Sequence, residues 1–306
     1  MKNKDLLAYL SALGAVFFWS FSFVWFKIAY LAYKPISVVI IRLVISVILI
    51  LILSWSLRKL QKIAKKDWKL FVLMAFFEPF LYFLGESYGL KYVSSTVAAV
   101  IVATIPLLSP VAAWYYFREK VSWPNVLGFA FSFAGVGLVV LNSSFQFDAS
   151  PLGVGLEFIA VFAAIAYSIV LRNVVFRYNT LTIIAYQNLI GIVFFLPVWL
   201  LVDLNDFIAT PFHPQAFRAI VLLAVFASTL AFIFFTQSIR QLGVNRSNTF
   251  VNLIPVFVAI LSFLVLNETM DIQKITGILV VIAGLFLAQS GRRQSSKQKV
   301  IEVQNI

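Results

Sequence analysis

The 306-residue sequence lacks cysteine and contains a single histidine, His213. The absence of cysteine excludes disulfide bonds and thiolate metal sites. His213 lies in the Pro-flanked segment TPFHPQ, and we interpret a lone loop histidine of this kind as a solvated side chain rather than a metal ligand. We therefore expect no metal site and no cofactor.

Charged residues are also scarce: they make up 12% of the chain, whereas hydrophobic residues make up 62%. Soluble domains contain about 45–50% of apolar residues, and a water-soluble fold needs a polar surface that this composition does not supply. Apolar stretches of about 18 or more residues recur along the chain, and in lipid such stretches fold as helices. The sequence therefore predicts an all-α integral membrane protein without a cleavable signal peptide.

Two kinds of catalytic signature are missing. There is no Walker-type Gly-Lys-Ser/Thr loop, so we expect that this chain does not hydrolyse ATP. A membrane enzyme would need convergent catalytic side chains, and the sequence holds no metal-ligand cluster and no pairing of serine with histidine. We therefore predict that the protein is not an enzyme.

Ten apolar segments of transmembrane length account for most of the chain. Prolines that suit the first turn of a helix support four of their starts, at Pro35, Pro124, Pro151 and Pro214. The polar segments NSSFQFDASP and DLNDFIATPFHPQ are predicted loops. The predicted spans are about 6–33, 35–57, 68–90, 93–116, 124–141, 151–172, 180–202, 215–240, 243–266 and 273–290.

The distribution of positive charge predicts how these spans are oriented. With both termini in the cytoplasm, 18 of the 24 Lys and Arg residues fall on the cytoplasmic side, five fall outside, and Arg42 lies within a span. This excess agrees with the positive-inside rule. Topology and anionic membrane lipids therefore explain the net charge of +12. We expect no nucleic-acid partner, because no basic domain lies outside the membrane.

The two halves of the sequence match each other. At an offset of 149 residues a proline, a glutamate and two glycines coincide: Pro106 with Pro255, Glu119 with Glu268, Gly128 with Gly277, and Gly135 with Gly284. At an offset of 145 residues the first spans align, and Arg42 matches Gln187. Since each half holds five spans, an odd number, the second half is predicted to enter the membrane inverted. Many transporters build a central site from inverted repeats.

Several stretches carry a resemblance to a known family. They are FFWSFSFVWFK in the first span, YGLKYVSSTVAAVIVATIPLLSPVAAWYYFREKVSW across the third to fifth spans, and SIRQLGVNRSNTFVNLIPVFVAILSFLVLNET in the second half. Through these and the Pro…Glu…Gly…Ala-Gly order of both halves, the sequence resembles the drug/metabolite transporter superfamily, in the group built from two EamA domains. The expected domains are a first EamA repeat over 6–141, an inverted second repeat over 151–290, and a polar cytoplasmic tail over 291–306.

The resemblance implies a fold of ten transmembrane helices, arranged as two inverted five-helix repeats around a central cavity. It also implies a secondary transporter that moves small metabolites, often amino acids or related compounds, outward across the cytoplasmic (inner) membrane. We expect alternating access, with protons as a candidate coupling ion and either a monomer or a homodimer. The alternative is a membrane receptor or scaffold without transport, which would need a soluble domain or a long loop.

Ionisable side chains inside lipid are costly, so each is a candidate for function. Arg42, Glu78, Glu86 and Glu157 lie within predicted spans, and Lys27 lies at the end of the first span. One reading is a structural ion pair, of Arg42 or Lys27 with Glu86. The other is a site for a zwitterion, in which a cation binds a carboxylate and Glu78 or Glu86 binds an ammonium. Burial disfavours the ionised form of Glu78, which makes it the candidate for proton coupling.

Polar and aromatic residues at similar depth complete the candidate set. Asn245, Asn248 and Asn252 share one helical face, where amides either join helices or line a cavity. Thr104 lies beside Pro106 in the related helix. Aromatic residues make up 16% of the chain, and a cavity rich in rings would suit aromatic metabolites. The cavity candidates are therefore Trp19, Arg42, Glu78, Tyr82, Glu86, Thr104, Gln187, Asn248 and Asn252.

Two further features are read as structural. Glu119 and Glu268 each precede an apolar span, where a carboxylate can pair with the positive N-terminal end of the next helix. The segment GESYG places Gly85 and Gly89 four residues apart, and this spacing favours close contact between helices. We expect the same of the matched glycines in the fifth and tenth spans.

Overall fold

The structure is a computed structural model that describes residues 3–108, 123–141, 149–242, 247 and 250–287. It is 85% helical. Among the described residues, six helices are long and apolar enough to cross a membrane, and four shorter apolar helices accompany them. The predicted all-α membrane fold is therefore confirmed, whereas the exact number of ten spans stays a prediction.

The helices are labelled here in chain order. A short helix, Leu204–Ala209, lies between α7 and α8. The others are α1 (Asn3–Ala29), α2 (Pro35–Ser56), α3 (Lys65–Tyr92), α4 (Ser95–Leu108), α5 (Trp123–Val140), α6 (Pro151–Val174), α7 (Thr180–Val202), α8 (Pro214–Leu242), α9 (Ile254–Leu266) and α10 (Ile272–Leu287).

The helix starts follow the local sequence. Pro35, Pro151 and Pro214 are the first residues of their helices, as predicted. The interpretation of His213 as a solvated loop side chain needs correction, because this half-buried residue caps α8. Its Nδ1 accepts a hydrogen bond from the backbone N–H of Ala216 at 3.2 Å, and this bond satisfies a free amide of the first turn.

The helices pack in pairs that link the two halves of the chain. α1 packs on α8, α3 on α6, α2 on α7 and α4 on α9, and α5 meets α10 at glycines. Suppose that each helix in this list is replaced by its counterpart in the other half, so that α1 becomes α6, α6 becomes α1, and so on. The same set of pairs results. Two repeats related by a two-fold axis produce this pattern, so the packing supports the predicted pair of repeats.

Glycines allow the closest of these contacts. A Cβ atom at Gly85 would lie 2.6 Å from the carbonyl oxygen of Leu156, and one at Gly135 would lie 2.7 Å from the carbonyl oxygen of Gly277. Only a hydrogen atom fits at such positions, which brings α3 against α6 and α5 against α10. The predicted role of these glycines in helix contact is therefore confirmed.

Glu268 lies between α9 and α10 and binds the start of α4. Its carboxylate accepts hydrogen bonds from the backbone N–H of Ser95 at 2.8 Å and from the hydroxyl of Thr96 at 2.8 Å. The predicted capping role is confirmed, but the predicted partner, the helix that follows Glu268, is wrong. α4 packs beside α9, so the end of α9 brings the carboxylate to the positive end of α4. Glu119 lies outside the described residues.

Two helices leave regular α-helical geometry at equivalent positions. Phe76–Leu81 in α3 and Leu223–Leu230 in α8 form wider, π-type turns, and at an offset of 149 residues the first segment falls within the second. Glu78 even takes an extended backbone conformation, with φ −145° and ψ 119°. Wide turns of this kind are frequent at functional sites, and the one in α3 carries a charged residue in the middle of the bundle.

Candidate functional site

One cavity lies where helices of both halves meet. Its cavity volume is about 100 Å³. Its walls come from α1, α2, α3, α4, α6 and α8, together with Val251 and Ile254 at the start of α9. Three charged side chains line it, namely Arg42, Glu78 and Glu86.

Arg42 is anchored on one side and free on the other. Only 2% of the residue is exposed, and Nε donates a hydrogen bond to the hydroxyl of Ser228 at 2.8 Å. The guanidinium carbon lies 4.2 Å from the centre of the Phe83 ring and 5.0 Å from that of Phe26, in cation–π contact. Nη1 has no hydrogen-bond partner among the described residues. Arg42 therefore retains donor capacity for an anionic group.

Glu86 is held by a tyrosine rather than by a cation. Its Oε1 accepts a hydrogen bond from the Tyr82 hydroxyl at 2.9 Å. Lys27 instead donates to the carbonyl oxygens of Leu90 and Val93, at 2.5 and 2.6 Å. Within the described part of the chain, neither Lys27 nor Arg42 forms an ion pair with Glu86. The alternative of a structural ion pair with Glu86 is therefore wrong for this conformation.

Glu78 is directed into the cavity by an irregular backbone. Its extended conformation interrupts α3, and the next residue, Pro79, packs against α7 at Gly191. A Cβ atom at Gly191 would overlap Cγ of Pro79. The Glu78 carboxylate has no hydrogen-bond partner among the described residues. Pro79 and Gly191 thus position a carboxylate that the cavity leaves free.

Aromatic rings form much of the remaining wall. The Trp19 ring lies 4.8 Å from that of Phe235 and 5.4 Å from that of Phe232, both in edge-to-face contact. Tyr82 and Tyr167 line the same cavity. Flat, polarisable walls beside three charged groups suit a small ligand that combines charge with an apolar or aromatic part.

Five of the nine residues predicted for the cavity line it: Trp19, Arg42, Glu78, Tyr82 and Glu86. Three others lie nearby without lining it. The Gln187 side chain accepts a hydrogen bond from the Tyr167 hydroxyl at 3.1 Å, and the hydroxyl of Thr104 donates to the Ile101 carbonyl oxygen at 2.6 Å. Asn252 is buried, and its amide has no partner among the described residues. Asn248 lies outside the described residues.

Sequence reasoning missed the contribution of α6 and α8. Ala164, Tyr167 and Ser168 follow a helical spacing and face the cavity together, as Phe232 and Phe235 do from α8. In sequence these aromatic residues look the same as those that face lipid. The available signal was the serine one residue after Tyr167, because a polar side chain in the middle of a span favours the protein interior.

Glu157 lies apart from the cavity. It is fully buried in α6, and both carboxylate oxygens lack a hydrogen-bond partner among the described residues. The described residues contain no group of three or more His, Cys, Asp or Glu side chains able to hold a metal ion. The cavity lining offers charged groups, hydrogen-bonding groups and aromatic rings to a ligand.

Known proteins resemble this chain over 69–90% of its length. An uncharacterized transporter from Archaeoglobus fulgidus is 24% identical, over 90% of this chain and 95% of its own. The transporter YetK of Bacillus subtilis, also named as uncharacterized, is 24% identical over 82% of this chain and 77% of its own. A protein from Streptantibioticus cattleyicolor named a probable terminal-alkyne amino-acid exporter is 23% identical, over 69% of this chain and 70% of its own.

The fold is shared with a solved structure as well. A crystal structure of a protein superposes with a TM-score of 0.68 at 18% identity, and the match covers 94% of this chain and 98% of that one. The EamA-like transporter family matches twice, over residues 6–141 and 151–289. Helices of both matched halves line the cavity. The chain belongs to the EamA-like transporter family and is a multi-pass membrane transporter.

Proposed function

We propose that the protein is a secondary transporter that exports small zwitterionic metabolites by alternating access. Amino acids and related compounds with aromatic or apolar side chains are the substrate class that fits best. The observation that carries this proposal is the cavity itself, which presents Arg42, Glu78 and Glu86 together between aromatic walls.

The charges suit the two ends of a zwitterion. The Nη1 group of Arg42 has no hydrogen-bond partner among the residues that the structure describes, and guanidinium donors match the geometry of a carboxylate. Glu78 and Glu86 offer carboxylates to an ammonium group. Among the described residues, Glu86 accepts a hydrogen bond from Tyr82, whereas Glu78 accepts none. A substrate with one positive and one negative group would therefore find a partner for each within one cavity.

The rings suit the rest of such a substrate. Trp19, Tyr167 and Phe235 provide flat apolar surface, and ring pairs add about 0.5–1.5 kcal/mol beyond the burial of area. The relative named as an exporter of a terminal-alkyne amino acid carries an amino-acid substrate in its name. That name supports the substrate class and the outward direction for this chain.

Orientation, coupling and assembly follow from the same proposal. We place both termini in the cytoplasm and the chain in the cytoplasmic membrane, because the basic loops then lie inside. Glu78 is the proposed proton-coupling residue, since its free carboxylate faces the cavity. All of the lining comes from one chain, so a monomer is sufficient, and a homodimer would hold two such cavities.

The experiment is uptake into proteoliposomes of the purified protein. The panel contains L-phenylalanine, L-tryptophan, L-leucine, L-glutamate and L-lysine, each measured with and without a pH gradient, for wild type and for Glu78→Gln. We expect saturable flux of the neutral apolar and aromatic members, stimulated by the gradient in wild type only. Lys91→Met, which removes an exposed cation that does not line the cavity, is the control and should behave as wild type.

The outcomes separate the parts of the proposal. Flux that ignores both the gradient and Glu78→Gln retains the transporter and removes the proton role. Equal flux of all five compounds contradicts a site selective for zwitterions with apolar side chains. No flux of any compound through folded protein contradicts the proposed substrate class.

A further inference from the structure

A second buried carboxylate lies outside the cavity. Glu157 sits in α6, and none of its surface is exposed. Neither oxygen has a hydrogen-bond partner among the described residues. An ionised carboxylate in such a setting is strongly unfavourable, because burial removes its hydration and nothing replaces it. A carboxylic acid that holds its proton is the form that this environment tolerates.

Its position is fixed by close contact between α6 and α3. The side chain lies over Gly89, where a Cβ atom would be only 2.5 Å from Oε1 of Glu157. One turn back, Gly85 meets the backbone of α6 at Leu156 and Ala160. Glu86 lies between these two glycines on α3 and lines the cavity. Glu157 is thus about one helical turn, on the order of 5 Å along α3, from a cavity carboxylate.

The charged and titratable groups around Glu157 come from two helices. Glu157 interacts electrostatically with Glu86 on α3 and with Lys27 on α1. It also interacts electrostatically with Tyr30, which directly follows α1, and with Tyr82 on α3. The described residues of α4, which also packs on α6, contain no titratable side chain. Lys27 is already bound to two carbonyl oxygens. In the described part of the chain, no cation therefore neutralises Glu157 by direct contact.

Packing alone does not require a carboxylate here. At the offset of 145 residues that aligns the first helices of the two repeats, Glu157 matches Ala12. Ala12 is fully buried in α1. The equivalent position therefore carries a methyl group in the first half and a carboxylic acid in the second. The fold of the repeat does not require an acid at this position.

We propose that Glu157 is a second proton-binding site, outside the cavity, that exchanges its proton with Glu86 at the cavity wall. In the step, the O–H bond of Glu157 breaks, its electron pair stays on the carboxylate, and water accepts the proton. The hydronium ion then gives the proton to Glu86, whose carboxylate forms the new O–H bond. The inference rests on the proposed function, because coupled transport needs a route for protons to the cavity.

Infrared difference spectroscopy tests the site without any substrate. Purified protein in lipid is titrated around neutral pH, and the carbonyl stretch of protonated carboxylic acids is recorded for wild type, Glu157→Gln and Glu78→Gln. We expect a component that is present in wild type and in Glu78→Gln and is absent in Glu157→Gln. An unchanged band in Glu157→Gln shows that Glu157 is ionised and overturns the proposal. Glu157→Ala, which copies Ala12, gives the same reading if the glutamine variant does not fold.

Proteoliposome flux tests the exchange with Glu86. The readout is the ratio of L-phenylalanine uptake with and without a pH gradient. We expect this ratio to fall to about one in Glu157→Gln and to keep its wild-type value in Asp206→Asn, which removes an exposed carboxylate paired with Lys34. A wild-type ratio in Glu157→Gln overturns the exchange. If no compound is transported at all, the infrared result still decides whether Glu157 binds a proton, so the two failures are distinguishable.

Discussion

The three charged residues of the cavity differ in how firmly their neighbours hold them. Arg42 has a hydrogen bond to Ser228 and ring contacts with Phe26 and Phe83. Glu86 has one hydrogen bond, from Tyr82, whereas Glu78 has none among the described residues. A firmly held cation suits a fixed anchor for a carboxylate, and a free carboxylate suits a group that changes partner during transport.

Arg42→Lys tests the anchor without changing the charge. The ammonium group cannot reproduce the planar contact with Phe83 or offer paired N–H donors to a carboxylate. Hydrogen bonds to charged groups are worth about 1.5–3 kcal/mol, so we expect the KM of an amino-acid substrate to rise roughly 10- to 100-fold. The measurement is concentration-dependent uptake into proteoliposomes. An unchanged KM in a folded Arg42→Lys variant would mean that Arg42 does not contact the substrate.

At the scale of single helices, the break in α3 decides where Glu78 points. The break is accommodated because α7 presents Gly191 to Pro79. The matching wide turn in α8 is joined to α2 by polar contacts instead, with the hydroxyls of Ser46 and Thr229 2.8 Å apart. The equivalent turns in the two repeats therefore have different roles. The turn in α3 directs the Glu78 carboxylate into the cavity, whereas the turn in α8 positions Ser228, which binds Arg42.

Gly191→Ala should disturb this arrangement, and Gly155→Ala should not. The new methyl group at position 191 would overlap Pro79, whereas nothing lies within 4 Å of a Cβ atom at Gly155. Overpacking costs about 1–3 kcal/mol, so Gly191→Ala is expected to lower the melting temperature and to reduce transport. Gly155→Ala is expected to be neutral or to stabilise its helix by up to about 1 kcal/mol. Thermal unfolding and uptake of both variants provide the measurement, and similar behaviour of the two would refute the positioning role of Gly191.

Much of the helical architecture could be predicted, because it depends on local signals. Prolines mark helix starts, and glycines at a repeated spacing mark close contacts. The partner of Glu268 could not be predicted, since Ser95 lies 173 positions away and only the packing of α4 on α9 brings them together. Tyr167 was missed for a related reason. Its orientation depends on the rotation of α6 about its axis, and in the mostly apolar sequence around Tyr167 only the neighbouring Ser168 indicates that rotation.

At the scale of the whole molecule, both ends of the bundle are tied by polar contacts. At one end, Asp67 binds Arg177 at 2.8 Å and the Tyr178 hydroxyl at 2.8 Å, which joins the first turn of α3 to the α6–α7 connection. At the other, Glu268 caps α4. Alternating access requires such contacts to open at one end at a time, and these link segments of opposite repeats, where a rocking motion would separate them.

The inverted arrangement of the repeats can be tested directly, because the chain contains no cysteine and any introduced thiol is the only one. Lys62 lies between α2 and α3, and Phe212 lies between α7 and α8; both are exposed. Among the described residues, the five helices α3 to α7 and the short helix Leu204–Ala209 separate them, and only α3 to α7 are predicted to cross the membrane. If each crosses the membrane once, the two positions lie on opposite sides, with Lys62 in the cytoplasm among other basic residues.

A membrane-impermeant maleimide should therefore label Phe212→Cys in intact cells and Lys62→Cys only after the cells are permeabilised. Labelling of both variants under the same condition would mean that an even number of these helices crosses. The second repeat would then have the same orientation as the first. The two-fold axis that relates the repeats would lie along the membrane normal instead of in the membrane plane. Because transporters with parallel repeats also alternate access, this result would refute the inverted arrangement of the repeats without by itself refuting alternating access.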